Sequence, residues 1–565
     1  MLIHRRDFIQ LTLAALAMTG GTVAGLRHAV ARQKITQDEI LKFEPKGQVT
    51  LIHVTDIHAQ LRPIYFREPD VNIGVGEAMG LPPHLVGEDF LKYYGIRRGT
   101  PEAYALTYLD FEELAKAYGR VGGMDRVATL VKAIRAERPG KCLLLDGGDT
   151  WQGSWTALKT GGQDMVDVMN LLGTDAMTAH WEFTYGEQRV EELIEKLKFP
   201  YLAGNVINTE WEEPVFKAWE MFERGGVKVA VIGQAFPYTP VANPRYKIPN
   251  WSFGIREEMV QQHVNDARAA GAEVVVLLSH NGFDVDRKMA RRVKGIDVIL
   301  VGHTHDAIPE PYKVGNTLLV SSGCSGKFVS RLDLEVKDGR VVDYSYKLMP
   351  VFSDVIEPDP EMAALIKKIR APYEKELNEV LGRTETTLYR RGNIDGTFDD
   401  LICTALMEKR DAEIALSPGF RWGPSVMAGQ EITADDVYSQ TAITYPAAYR
   451  TEMTGKMLKD ILEDVCDNLY NPDPYYQQGG DMVRTGGLSY DLHPYEPMGN
   501  RIQNLRLTRT GEPIEPDKKY VVAGWASVNE GTQGPPIWEI VMDWIREKKV
   551  VNIPPNREVR LVTGK

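Results

Sequence analysis

Cysteine is scarce: four in 565 residues, Cys142, Cys324, Cys403 and Cys466, with no C-x-x-C pair among them. That spacing excludes a zinc ribbon and a thioredoxin-type site. A chain long enough for large cores does not need a disulfide framework, so the four read as small buried side chains. Past residue 31 no apolar run is long enough to cross a bilayer. Net positive charge is also missing, the formal balance being −12. Nucleic acid and anionic lipid are therefore poor partners, because both reward clustered cations. An anionic substrate is not excluded, since a bound metal pair outweighs the overall field at close range. No repeat or low-complexity block occurs.

What is present begins with a sorting signal. Arg5-Arg6-Asp7-Phe8-Ile9 precedes a mostly apolar run, Leu11 to Leu26, and the small-residue pattern Ala29-Val30-Ala31. A charged start, a short apolar stretch and an A-x-A-like end describe an export signal over 1–31. The paired arginines resemble a twin-arginine signal, which implies a periplasmic or extracytoplasmic destination. Residues 1–31 hold three arginines and one aspartate, so the mature chain carries about −14, that is −12 less +2. Export after folding suits a protein loaded with metal in the cytoplasm.

The length exceeds what one hydrophobic core supports. Short apolar runs (Val49–Thr55, Cys142–Leu145, Val227–Ile232, Val274–Leu278, Val298–Val301) alternate with helix-compatible stretches (Asp125–Arg138, Val190–Lys198, Glu257–Ala270). That rhythm predicts an α/β domain over 47–352, with a long insertion, 59–121, rich in Tyr, Pro and Gly. Pro358 and Pro360 then introduce a charged stretch, Glu361 to Leu381, expected to be a solvated helical linker over 353–384. A second domain, 385–565, follows, with segments such as Thr397–Glu408 and Thr454–Asp467.

Asp and His recur where these runs end: Asp56-Ile57-His58, Asp146-Gly147-Gly148-Asp149, His280, and His303-Thr304-His305. In open α/β sheets the carboxyl ends of strands gather into one crevice. Imidazole and carboxylate donors without thiolate suit Mn, Fe or Zn, and a carboxylate such as Asp149 can bridge two cations that activate one water. Singly each motif has an ordinary explanation: His280 a capped histidine, Asp149 a turn residue. His53, inside the first strand, reads as structural. Jointly the ordered set points to a dinuclear site. Gly323-Cys324-Ser325-Gly326-Lys327 lacks Walker spacing and is not read as a phosphate loop.

The ordered motifs Asp56-x-His58, Gly148-Asp149, Ser279-His280-Asn281-Gly282 and Gly302-His303-Thr304-His305 resemble the calcineurin-like metallophosphoesterases, and more closely the 5'-nucleotidase group. Ala203-Gly204-Asn205-Val206, Thr454-Gly455-Lys456 and Ser417-Pro418-Gly419-Phe420-Arg421-Trp422-Gly423 support it. The resemblance implies a four-layer α/β/β/α domain and a C-terminal α+β substrate domain joined by a helical linker. It also implies one metal on Asp56, His58, Asp149 and His305, and another on Asp149, His180, His280 and His303.

Departures bear on the substrate. In Ala179-His180-Trp181-Glu182-Phe183, His180 stands where the group has a metal-binding Asn, and Trp181 where it has the histidine that assists the leaving group. Indole N–H does not titrate usefully. Gly479-Gly480-Asp481 places Asp481 where a base-stacking aromatic is usual. With the insertion, these features resemble the SoxB thiosulfohydrolases of the sulfur-oxidation (Sox) system. That resemblance implies two manganese ions, Zn or Fe being chemically acceptable, and a cysteine S-thiosulfonate on a SoxYZ-type carrier. The carrier would present its cysteine on a flexible C-terminal arm, and sulfate would be released. It casts Asp149 and Arg421 as catalytic, Arg421 and Arg391 as sulfonate-binding, and Trp181 as a channel wall. A periplasmic 5'-nucleotidase or cyclic-nucleotide phosphodiesterase is the alternative. A metal-stabilised binding protein without catalysis is a further one.

Overall fold

Strand Val49–Val54 is central to a five-stranded sheet, pairing in parallel with Cys142–Asp146 and antiparallel with Phe328–Lys337. The computed structural model describes residues 35–563; the export signal read over 1–31 lies outside the described residues. Ala176–Met177 and Arg340–Pro350 complete the edges of this sheet. A second sheet of six runs Tyr312–Val314, Thr317–Ser321, Val298–Val301, Val274–Ser279, Val227–Gln234 and Trp219–Arg224.

The continuous apolar runs have a simple cause. Successive side chains leave a strand on opposite faces, and both faces of each sheet are covered. Val49, Leu51, Leu143 and Leu145 meet Val229, Val231, Val274, Val276 and Leu300 between the sheets. The alternate residues, Ile52, Val54 and Leu144, face Val127, Leu130 and Val131 of helix Met124–Glu137. On the far side, Ile232, Val275, Leu277 and Ile299 pack on helices Glu257–Ala269 and Phe283–Arg292. Helix, sheet, sheet, helix is the observed layering.

Two boundaries differ from the sequence reading. The stretch 361–381 is not one solvated helix. It breaks into Pro360–Arg370 and Glu374–Leu377, and the first piece buries Met362 in the first domain's core. A period-3.6 apolar face hidden among lysines is what the charge pattern concealed. Strand Val380–Thr384, assigned to the linker by sequence, instead pairs with Glu431–Thr433 and Val550–Val551 of the second domain.

That second domain mixes helices Thr397–Arg410, Gly455–Tyr470 and Ile537–Lys548 with small sheets. The Thr454-Gly455-Lys456 motif has a local reason: Thr454 Oγ accepts from the Met457 amide at 3.2 Å and caps the helix. All four cysteines are free and buried. Among the described residues no helix is long and apolar enough to cross a membrane.

Leu143 is fully buried between the sheets. Leu143→Ala should cost about 3 kcal/mol of first-domain stability, read from the shift in its urea midpoint at constant slope; a cost below about 1 kcal/mol would contradict this packing.

Candidate metal centre and substrate cavity

Each site residue sits where a strand ends and the chain turns sharply. Asp56, His58, Asp149, His303 and His305 all have φ between 48° and 76°, a left-handed region that non-glycine residues enter at a cost and that clusters at functional sites. The turns are locked to one another. The Asp56 amide donates to the Gly148 carbonyl and the His58 amide to the Asp149 carbonyl, both at 2.8 Å. The His303 amide donates to both Asp56 carboxylate oxygens at 3.1 Å. Gly302 is required by crowding, since a Cβ there would lie 2.7 Å from Thr55 Oγ1 and 2.8 Å from His280 Nδ1.

All seven sequence-assigned ligands converge. Asp149, His180, His280 and His303 form one group and Asp56, His58, Asp149 and His305 another, each with its ligand atoms within 4.8 Å of one another. Asp149 is common to both. Its Oδ2 lies 3.0 Å from His280 Nε2 and 3.3 Å from His180 Nδ1. His305 Nε2 is 3.2 Å from Asp56 Oδ1, and it faces His58 Nε2 at 3.1 Å. Nδ1 of His58 and Nδ1 of His280 point to the carbonyls of Gln152 and Gly147. Such contacts fix the tautomer that leaves Nε2 free for a metal.

The donor set fits two divalent cations. Burial, then Arg421 for His303 and His58 for His305, hold these two imidazoles well below the ordinary histidine range, so they are neutral ligands. Burial alone would raise Asp149, but His180 and His280 bring it well below the usual carboxylate value. His280 is opposite: burial lowers it, yet Asp149 and Asp56 lift it to about 10. Nδ1 of His305 and Nε2 of His180 are buried without a protein partner. Two carboxylates and five imidazoles shut away together need positive charge among them.

Sequence reasoning missed the groups that hold this cluster. Glu182 accepts from the amides of His180 (2.8 Å), Asp149 (3.2 Å), Thr150 (2.6 Å) and Trp151 (3.1 Å), welding two ligand loops together. Its only signal was its place two residues after His180. Asp286 accepts from Ser279 Oγ and Asn281 Nδ2 beneath His280. From the second domain the Gln478 carbonyl comes within 3.3 Å of His303 Nε2. Gly479, with φ +73°, passes so close that a Cβ would lie 2.2 Å from that nitrogen. The Gly323–Lys327 turn is structural: the Ser325 amide donates to the Asp56 carbonyl, and buried Lys327 pairs with Glu68 at 2.6 Å. His53 is likewise structural, bonded to Ser322 Oγ at 2.7 Å.

Beside the cluster lies a cavity of about 290 Å³ lined by Trp181, Phe236, Val241, Phe420, Arg421 and Trp422 among others. Arg421 is buried; its Nη2 is 3.3 Å from His303 Nε2, and among the described residues no carboxylate forms an ion pair with it. Arg391 is placed differently. Its Nη2 donates to the Thr304 carbonyl at 3.0 Å, and it lines a smaller neighbouring cavity of about 70 Å³.

A solved structure with this architecture is the sulfate thiohydrolase SoxB of Thermus thermophilus in complex with glycerol. The two share 37% identity over 93% of this chain and 98% of that one, with a TM-score of 0.90. The chain belongs to the SoxB family. The 5'-nucleotidase C-terminal domain family matches residues 378–540. The 5'-nucleotidase of Rattus norvegicus is 28% identical over 71% of this chain and 76% of its own length. A 5'-nucleotidase precursor from Thermus thermophilus has the same fold (TM-score 0.72, 22% identity, 92% of this chain and 100% of that one). This SoxB-family chain is thus a hydrolase of the metallophosphoesterase and 5'-nucleotidase superfamily with a site for two metals.

Aromatic packing gives the SoxB-family cavity its character. Trp181 stands edge-on to Phe420 and Trp422, with ring centres at 5.2 and 5.0 Å. Trp422 stacks on His58 at 5.1 Å, and Phe236 lies 4.0 Å from His180 and 4.1 Å from His303. Asp481 offers no platform; it is buried against Asn393 and Arg484 at 3.1 and 3.2 Å.

Asp149→Ala should abolish binding of both metals by elemental analysis, whereas Asp56→Ala should leave one; two ions retained by Asp149→Ala would refute the shared-carboxylate arrangement. Because metal-free His280 holds its proton up to about pH 10, metal uptake at pH 7 must expel a proton. Affinity then climbs as pH rises toward that value. Calorimetry in two buffers of different ionisation heat reads this directly, and identical heats would contradict it.

Proposed function

We propose that this protein is an exported thiosulfohydrolase that removes the terminal sulfonate of a cysteine S-thiosulfonate on a SoxYZ-type carrier, releasing sulfate. The observation that carries this reading is Trp181 on the cavity wall. Among the described residues lining that cavity, the titratable ones are the proposed ligands His58, Asp149, His180, His303 and His305, with Arg421 and the already paired Asp481. None is placed to protonate an alkoxide. A sulfur leaving group needs no such proton, since thiols ionise near pH 8.5 and alcohols far higher.

A bound metal pair, proposed to be manganese on the seven residues above, supplies Lewis acidity and a water ionised at neutral pH. The chain's residues do the rest. Arg421, unpaired and buried beside His303, offers a planar fork of donors to two sulfonate oxygens. The anion in turn offsets a guanidinium that burial disfavours. Trp181, Phe420 and Trp422 exclude water around the scissile S–S bond. With the substrate so held, net hydrolysis would exchange the S–S bond for an S–O bond to water. The electron pair of the broken bond would leave on the carrier sulfur as thiolate, and the protons of the water would pass to solvent. Asp149, fixed by the Trp181 amide at 2.7 Å, keeps its position throughout. The Arg5-Arg6 signal supports export by the twin-arginine route to the periplasm.

The alternative, a nucleotidase, rests on the second domain's family match and the curated relatives. Metal-loaded protein mixed with thiosulfonated carrier should release sulfate, with Asp149→Ala as the inactive control. Efficient AMP turnover without sulfate release would overturn the proposal. Arg421→Ala should lower kcat/KM for sulfate release about 100-fold. Trp181→His should raise hydrolysis of a nitrophenyl phosphate at least about tenfold by restoring an acid.

A further inference from the structure

The insertion between His58 and Gly122 takes no part in that chemistry, yet its contacts follow a pattern. Ile64 exchanges two backbone hydrogen bonds, each 2.8 Å, with Val121 at the insertion's own end, which in turn bridges to Phe352 of the first domain. The next residue crosses over: the Tyr65 carbonyl accepts from the Ser425 amide at 2.7 Å, and Ser425 Oγ accepts from the Arg67 amide at 3.0 Å. The Arg67 guanidinium lies 4.1 Å over the Tyr389 ring. Glu68 returns to the first domain, paired with buried Lys327.

The alternation continues. The Val71 carbonyl accepts from the Asn393 amide at 3.3 Å, and the Ile73 amide donates to Asn393 Oδ1 at 2.7 Å, both in the second domain. Between them Asn72 donates to Asp306 Oδ1 of the first domain at 3.1 Å. Val75 is buried in the second domain's core with Leu462, Cys466, Tyr470 and Met482. His84 closes the series, 2.8 Å from Asp284 of the first domain.

Relative motion is the default for two domains joined by a polar interface. Several other crossings here are of that polar kind, such as Lys288 to Asp473 and Arg370 to Asp435. Partly exposed ion pairs of this sort hold little. Trp155 and Trp181 of the first domain also reach into the second domain's core. The insertion adds backbone hydrogen bonds and a second apolar contact, Val75, along the rest of the seam.

We propose that Ile64–His84 is an interdomain stitch that keeps the two domains in one closed arrangement throughout the cycle. The inference does not depend on which ester or sulfonate is cleaved. Its consequence is that substrate reaches the metals along the cavity past Val241, Ala242, Ile461 and Val465, not by domain opening. A slender chain end suits such a path better than a bulky one.

The test uses the metal-loaded full chain with Glu210→Cys and Arg509→Cys, exposed positions on the first and second domains. The four native cysteines are buried and stay unlabelled. Spin-label distances between the two sites should show one narrow distribution, unchanged by millimolar thiosulfate or sulfate. Val75→Ser and His84→Ala touch opposite domains, so a merely local role would give them unrelated effects. As stitch variants, both should lose the single distance and gain a longer one while circular dichroism stays native. Two distances in the unmodified protein, or a folded variant that keeps one, would overturn the proposal. If Val75→Ser does not fold, His84→Ala and the unmodified chain decide it.

Discussion

Everything in this molecule is arranged around one carboxylate, Asp149, that two groups of imidazoles share. Burying two acids and five histidines in one place costs solvation that only bound cations can restore. The fold meets this cost by geometry. Five strand ends from two different sheets must reach within a few ångströms, and the three that carry Asp56, Asp149 and His303 turn through left-handed residues to do so. Hydrogen bonds between the turns hold that strain, and Glu182 collects four amides from two of them. The layered core beneath is what makes the turns affordable.

Much of this was legible in the sequence, for identifiable reasons. Strands buried on both faces read as unbroken apolar runs, so Val274–Ser279 and Val298–Val301 could be placed to within a residue. Six of the ligands follow those runs directly, whereas His180 follows only the two-residue strand Ala176–Met177 and was named through the family resemblance alone. Other features were hidden because their chemistry is not in the side chain. The Gln478 carbonyl and the tight passage at Gly479 are backbone matters. Glu182 is an acid that binds amides, which nothing in its spacing announces. The helix Pro360–Arg370 read as solvated because lysines mask its buried Met362 and Ile366. The hydrogen bond from Arg391 Nη2 to the Thr304 carbonyl spans some 87 positions, a contact that no local pattern encodes.

On the proposed reading, this site would differ from a phosphomonoesterase site less in the metals than in what surrounds the leaving group. Phosphate and sulfonate are both tetrahedral anions, and an arginine fork with two cations receives either. A wall of Trp181, Phe420 and Trp422 has no proton to give. Selectivity on this reading comes from withholding help: a poor leaving group stalls, and one that departs as a stable anion does not. On the same reading Asp481, held by Asn393, would offer a nucleoside no stacking platform.

Metal centre and domain arrangement are then physically linked. His303 and His305 belong to the first domain, but the loop that carries them is gripped from the second, by Arg391 on Thr304 and by Gln478 against His303. Separating the domains would withdraw both contacts from a loop whose backbone is already strained at His303 and His305. Cations that require those imidazoles therefore favour the closed arrangement, and closure must favour the cations by the same free energy. The insertion biases that equilibrium from one side and the metals from the other. A chain built so keeps its centre assembled between turnovers, at the expense of admitting only what fits the remaining channel.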